Sequence, residues 1–401
     1  MTDNKNVALI QGTPVSLASK IAWLDSYPMA WTPKAALDTE EVPSPIQYVV
    51  EIGDKGVAEV EAGLEAYKKL GLNQDSVNRD TFPLPTLEAQ LEQACHDIHQ
   101  GPGFAIIRGL DPNSYTAEEN VTIFLAVASH IADMRGVQDK RGNMITHVTD
   151  AATWTTPHEL RHGIHTTTGL AWHTDMSVNI LGLHVRAMAE SGGDTFVASA
   201  STIFKELESS YPQSLKALQQ PDWPIQISGS PPRYILAPLL QVFNGAVVIS
   251  VDPGRLGLHP VTAEAGLGSF IPDLTSSQRK ALSILSELAS KHRLRLDTKP
   301  GDMVFINNLG LLHARDAYVD RKTGPRRHLV RLWLCNSKLA WDLPESMRAP
   351  WDAAFGDIEF PGNIERKYPA FPARKYKQPR YTAGSAAFII DDDDDVNSNN
   401  T

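Results

Sequence analysis

A chain of 401 residues with 42 % apolar side chains can bury a substantial core, and its length admits either two domains or one large β enzyme with insertions. The net charge of −10 is concentrated in part at Asp391 to Asp395, and no basic helix or aromatic-interleaved basic stripe accompanies it, which excludes nucleic acid as the expected partner. Cys95 and Cys335 are too few for a disulfide framework and read as buried free thiols, while the start Met1-Thr2-Asp3-Asn4-Lys5-Asn6 lacks a basic, then apolar leader and no stretch reaches the ~18 apolar residues of a membrane span, so a soluble cytoplasmic protein is expected.

Residues 1–84 read as an N-terminal extension with a helix. Its first 45 or so positions carry prolines without a sustained period and are predicted to wrap the surface. Val57, Val60, Leu64, Tyr67 and Leu70 then fall at helical spacing, giving an amphipathic helix over 54–71 ended by Gly71. Residues 87–98 repeat the pattern, with Thr86 as a candidate N-cap. A glycine-bounded strand follows at 104–110, and another helix at 117–132. From residue 143 the texture changes to short β segments: 144–148, 169–173, 182–188, 194–198, 235–239, 246–251, 293–296, 303–306 and 329–335. Helical interruptions lie near 201–208 and 276–292. Many short strands with long insertions predict a mainly β fold with flanking helices, a double-sheet jelly roll over 85–340. Residues 341–385 form a C-terminal strap, in which Arg366-Lys367 and Arg374-Lys375-Tyr376-Lys377 are interleaved with prolines at 369, 372 and 379. Residues 386–401, with their aspartate run, are predicted to be a disordered acidic tail.

Trp172-His173-Thr174-Asp175 places a histidine and an aspartate two residues apart. On a strand they share a face, because side chains alternate with a period of two. With His313 from a distant strand, they make two imidazoles and one carboxylate on one side of a metal, leaving the other positions open. That is the donor set of non-haem Fe(II) oxygenases. His-x-Asp alone is a weak signal, and the residues after His313 strengthen it. In Arg326-Arg327-His328-Leu329-Val330-Arg331-Leu332-Trp333-Leu334, Val330, Leu332 and Leu334 share one face and Leu329, Arg331 and Trp333 the other. If the strand already begins at Arg327, that residue has the parity of Arg331, so both can aim into one cavity, where a guanidinium fork can grip a carboxylate. A surface strand with solvated arginines is the alternative.

These segments, with Gly192-Gly193-Asp194-Thr195 and Gly301-Asp302-Met303-Val304-Phe305, Asn308 and His313, resemble the taurine dioxygenase / 2,4-dichlorophenoxyacetate dioxygenase (TauD/TfdA) family over roughly residues 85–340. The resemblance implies a double-stranded β-helix of the clavaminate synthase-like kind. It implies Fe(II) bound by His173, Asp175 and His313, with 2-oxoglutarate and O2 as co-substrates. Thr195 and Arg327 would hold the distal carboxylate of 2-oxoglutarate, and Arg331 would lie near the co-substrate or an anionic substrate group. The interval from His313 to the arginines is longer than in taurine dioxygenase. A turn at Lys322-Thr323-Gly324-Pro325 can absorb the excess, and Arg326 stands as the alternative anchor. Asn308 matches a family position that can hydrogen-bond behind the ligands, or it forms a turn with Asn307. Gly301-Asp302 and Gly192-Gly193 read as structural turns.

The implied activity is hydrogen abstraction from a small, anionic or amino-acid-like metabolite, giving hydroxylation, desaturation or oxidative cyclisation with release of succinate and CO2. The long extension and strap resemble those of larger fungal members, some acting in secondary metabolism. Expected partners are a small-molecule substrate, no membrane, and no nucleic acid, with a homo-oligomer left open. Trp154, Trp172, Tyr234 and Trp333 are candidate pocket walls or core. Two alternatives come from other classes. His158-Glu159-Leu160-Arg161-His162 fits a zinc metallohydrolase pattern, although Pro157 and Gly163 flank it and no apolar stripe supports the required helix. A non-catalytic jelly-roll binding protein is the other.

Overall fold

The computed structural model describes residues 48–139, 141–153, 155, 161–176, 178–226, 234–257, 271–356 and 365–373. The first predicted segment, the acidic tail, Trp154, and His158 and Glu159 lie outside them. The chain runs β1 (Val49–Glu51), α1 (Gly53–Leu70), α2 (Glu88–Gln100), β2 (Phe104–Arg108), α3 (Ala117–Ile131), β3 (Met134–Gly136) and β4 (Ile145–Thr149). It continues through β5 (Leu170–His173), β6 (Ile180–Ala187), β7 (Ser191–Gly192), β8 (Thr195–Ser199), α4 (Ala200–Ser210) and α5 (Pro212–Leu218). Strands β9 (Trp223–Gln226), β10 (Tyr234–Ala237), β11 (Leu240–Phe243) and β12 (Ala246–Ile249) precede α6 (Ser276–Lys291). The last part holds β13 (Leu294–Arg295), β14 (Met303–Asn307), β15 (Leu311–Arg315), β16 (Tyr318–Val319), β17 (His328–Cys335) and α7 (Arg348–Phe355).

Two sheets face each other. The larger has the order β1-β2-β14-β6-β17-β3, with β4 also paired to β17; the smaller has the order β13-β8-β15-β5. Alternation along each strand of the larger sheet divides its side chains between two cores. Val304 and Ile306 of β14 and Leu329 and Trp333 of β17 enter the layer between the sheets. Met303, Phe305, Val330 and Leu332 face outward, where Val60 and Leu64 of α1, Leu91 and Ile98 of α2 and Phe124 of α3 cover them. The smaller sheet is backed by α4 and α6, with α5 packed against both helices, and the Trp172 indole N–H on β5 donates to Ser290 Oγ on α6 at 2.9 Å. This is the double-stranded β-helix, and the β17 alternation expected from the sequence is the one observed.

Helix ends show where local signals are overridden. Gly71 ends α1 in the left-handed conformation, φ 65°, as expected. Thr86 does not cap α2. Glu59 on α1 reaches across instead, its carboxylate accepting from the backbone N–H groups of Thr86 at 2.7 Å and Leu87 at 3.0 Å. A carboxylate at a helix N-terminus also meets the positive end of the helix dipole, which a hydroxyl would not exploit. Helix α3 carries the capping box Thr116/Glu119. In the strap, α7 was not foreseen; at 365–373, Lys367 bridges Asn143 and Pro369 O lies 2.9 Å from His147 Nε2. Cys95 and Cys335 are both buried and free. Among the described residues no helix is long and apolar enough to cross a membrane.

Candidate metal centre and co-substrate cavity

The smaller sheet sets His173 and His313 directly opposite each other, because β5 and β15 pair in that register. Their ring centroids are 4.1 Å apart. Asp175, two residues beyond His173, brings Oδ1 to 4.0 Å from His313 Nε2. The three buried residues offer ligand atoms that all lie within 4.8 Å of one another. The donor chemistry fits a metal closely. His173 Nδ1 sits 2.7 Å from Ala171 O, so it donates there and turns the lone pair of Nε2 outward. Burial holds His313 well below the usual imidazole pKa, with His173 and Arg331 adding to the shift, so the ring is neutral as a ligand must be. Asp175 Oδ1 is buried without a hydrogen-bond partner, an arrangement that would be costly unless a cation meets it.

The other carboxylate oxygen is fully engaged. Asp175 Oδ2 accepts from the Trp333 indole N–H at 2.5 Å and lies 3.1 Å from Arg331 NH1. Arg331 is itself steadied by Gln138, whose Oε1 accepts from Arg331 Nε at 2.9 Å. Asn308 holds the backbone of Asp175: its Oδ1 accepts from Asp175 N at 2.9 Å, and its Nδ2 donates to Asp175 O at 2.5 Å and Val178 O at 2.8 Å. The turn-forming role falls to Asn307, whose Oδ1 accepts from Leu309 N and Gly310 N, both at 3.2 Å. Removing only the indole donor tests this clamp. Trp333→Phe keeps most of the buried ring, so the protein should fold while its dissociation constant for Co(II) or Fe(II) rises about 10–100-fold, as measured by calorimetric titration under argon. Unchanged metal affinity would leave Trp333 a packing residue only.

Both parts of the resemblance meet in one cavity, lined by His173, Asp175, His313, Thr195, Arg327 and Arg331 together with Arg315 and apolar side chains. Arg327 is buried and donates through Nε and NH2 to Gly193 O at 3.3 and 3.0 Å, leaving NH1 unpartnered. Gly193 accommodates this approach because a Cβ there would stand 2.7 Å from Arg327 Nε. Arg326 points elsewhere: its side chain is 49 % exposed, 3.7 Å from Asp150. Arg315 was missed in the sequence, although its parity with His313 on the same strand was available as a signal. It donates through NH2 to Thr166 O at 3.0 Å and to Thr168 O, while Nε and NH1 have no partner. Desolvation pulls the Arg327 pKa down to about 10, Arg315 contributing, and lowers Arg315 as well. Two buried guanidiniums flanking Tyr318, with donors to spare, make a receptor for an anion.

Of the proposed aromatic walls, Trp172 belongs to the core between sheet and helix and Trp333 to the Asp175 clamp. His162 caps a short 3-10 turn, Gly163–His165.

A jelly roll with a buried His–Asp–His cluster and an arginine-lined cavity next to it has the layout of the non-haem Fe(II), 2-oxoglutarate-dependent oxygenases. The model of the taurine catabolism dioxygenase TauD, TfdA family matches residues 66–333, and the chain belongs to that family. It is 33 % identical over 348 residues to the taurine hydroxylase-like protein SAT17 of Stachybotrys chartarum, covering 84 % of this chain and 86 % of that one. FR-33289 synthase of Streptomyces rubellomurinus is 26 % identical over 302 residues, 72 % of this chain and 84 % of that protein. Among solved structures, asparagine oxygenase with Fe(II), 2S,3S-3-hydroxyasparagine and succinate superposes with TM-score 0.54 at 18 % identity, covering 72 % of this chain and 93 % of that one. The non-haem iron oxygenase OrfP with Fe and alpha-ketoglutaric acid gives TM-score 0.52 at 17 % identity, with 72 % and 94 % covered. The chain is therefore an Fe(II)/2-oxoglutarate-dependent dioxygenase, and the zinc-hydrolase and non-catalytic readings are set aside.

Proposed function

We propose that the protein oxidises a C–H bond of a small, anionic or amino-acid-like metabolite, with His173, Asp175 and His313 as the iron ligands and Arg327 as the anchor of 2-oxoglutarate. The observation that carries this is the shared cavity: the metal-competent triad and the unpartnered edge of Arg327 line the same space. Bound Fe(II) would supply oxygen activation at the expense of 2-oxoglutarate, which leaves as succinate and CO2. The chain does the rest. Arg327 NH1 and Thr195 bind the distal carboxylate, and Arg315 adds positive field behind it. Trp333 and Arg331 hold Asp175 to one free oxygen, keeping other coordination positions open. Leu181, Leu183, Leu329 and Ile164 keep the cavity dry. The substrate class is supported by the relatives, named for a taurine hydroxylase, an FR-33289 synthase and an asparagine oxygenase, and by OrfP bound to (3S)-hydroxy-L-Arg. A place in secondary metabolism is consistent with them.

The test is succinate release by anaerobically reconstituted enzyme with ascorbate, screened over taurine, asparagine, arginine and related small acids. Stoichiometric substrate-linked succinate supports the reading; absence of 2-oxoglutarate binding to the Fe(II) form refutes it. Within that assay, Arg327→Ala should raise the KM for 2-oxoglutarate about 10–100-fold, the loss expected for a charge-assisted bond, while kcat at saturation changes little. Arg326→Ala should leave both constants near the parent.

A further inference from the structure

His162 holds neither the metal triad nor the 2-oxoglutarate anchors, yet it is buried beside them, 7 % exposed. Its Nδ1 accepts from the backbone N–H of Ile164 at 3.3 Å. A ring nitrogen that accepts carries no proton, so the proton of the neutral ring is on Nε2. Burial keeps the ring neutral, and His165, Arg331 and Arg255 oppose its protonation too. Nε2–H has no hydrogen-bond partner. A buried donor left in this state is rare and calls for a ligand.

The space next to it is a groove lined by His162, Gly169, Leu170, His173, Asp252 and Gly254, among others. It shares Leu170 and His173 with the cavity of the metal triad, so an occupant of the groove rests against an imidazole of that triad. Two guanidiniums act on the ring, those of Arg331 and of fully buried Arg255. The Asp252 carboxylate is already engaged: its Oδ1 accepts from Gly254 N at 3.0 Å and its Oδ2 faces Arg255 Nε at 3.5 Å. Arg331, the residue that the family resemblance reserves for an anion, is committed to Asp175 and Gln138.

We propose that the Nε2–H of His162 is the donor that fixes an oxyanion of the substrate (a carboxylate, sulfonate or phosphonate oxygen) in the groove beside His173. It thereby selects the substrate and the C–H bond turned toward the metal. The assignment rests on the oxygenase reading, and a binding experiment separates the two. The enzyme is loaded with Co(II) and 2-oxoglutarate in the absence of turnover, and its visible ligand-field bands are followed while acetate, methanesulfonate or methylphosphonate is added, with dimethyl sulfone as the neutral control. At least one oxyanion should perturb the bands saturably, and the sulfone should not. His162→Phe should weaken that oxyanion about tenfold or more without changing affinity for Co(II) or 2-oxoglutarate. His162→Gln, whose amide N–H reaches the place of Nε2, should return it to within about threefold. The His162 assignment is overturned if no oxyanion perturbs the parent protein, if His162→Phe binds the oxyanion as tightly, or if His162→Gln fails as His162→Phe does with unchanged melting. Failure of Co(II) or 2-oxoglutarate to bind the parent protein would instead overturn the oxygenase reading, and this assignment with it.

Discussion

His313→Ala should abolish substrate-coupled succinate release and lower affinity for Fe(II) by more than the roughly 10–100-fold that a partner behind a ligand costs. The reason is geometric: with one imidazole gone, His173 and Asp175 remain as two donors on one side, and among the described residues no other His, Cys, Asp or Glu joins their group. His173→Ala should behave alike. Asp175→Ala should lose the metal as well, but differ in stability. It strips Trp333 N–H and the Arg331 guanidinium of a buried acceptor, and breaking a buried pair from one side costs about 3–5 kcal/mol. Calorimetric metal titration with parallel thermal melting checks both parts. Parent-like iron affinity in His313→Ala would sink the centre as described.

Gly301→Ala should be strongly destabilising, by at least about 3 kcal/mol. Gly301 has φ +95°, and a Cβ there would stand 1.8 Å from the carbonyl oxygen of Leu110, a backbone atom that cannot swing away. Its N–H donates to Val185 O at 2.7 Å. The next residue, Asp302, is fully buried and takes a two-point bond from Arg108, Nε at 2.8 Å and NH2 at 2.7 Å. Together they start β14 between β2 and β6, and β14 leads through Asn308 to the His313 strand. Gly324→Ala is the control. Its φ is also +95°, but nothing lies within 4 Å of the added Cβ, so it should cost only about 1 kcal/mol. Equal urea midpoints for the two variants would show that the Leu110 contact relaxes.

Where chemistry needs residues at a fixed parity, the chain could be read directly. The two faces of β17 follow from a period of two; Asp175 and Arg327 lie just outside the ends of β5 and β17, in stretches without strand pairing, and reach the cavity from there. Family resemblance supplied the distant His313. Arg315 obeyed the same rule and was passed over only because it had no assigned task. The Asp175 clamp was less accessible. Trp333 could be placed on the correct face, but its indole meets Asp175 across the layer between two sheets, a pairing that no local spacing encodes. Gln138 sits in an irregular segment and Arg255 at the end of a three-residue 3-10 turn, both too short for either period to apply. The failure of Thr86 as a cap has the same origin: Glu59, 27 residues earlier, is brought to the helix end by packing.

The register of β5 against β15 carries a consequence for how such enzymes diversify. His313 faces His173 through the ladder itself, and sliding either strand by one position would turn every side chain to the opposite surface. The facing of the two imidazoles is thus all-or-none, set by the ladder and not by the connections around it. Gly163, Gly169, Pro253 and Gly254, which border the groove beside His173, lie in those connections. New specificities can accumulate there by insertion or exchange of loop residues, and libraries aimed at altered substrate choice should vary those loops while leaving the two strands untouched.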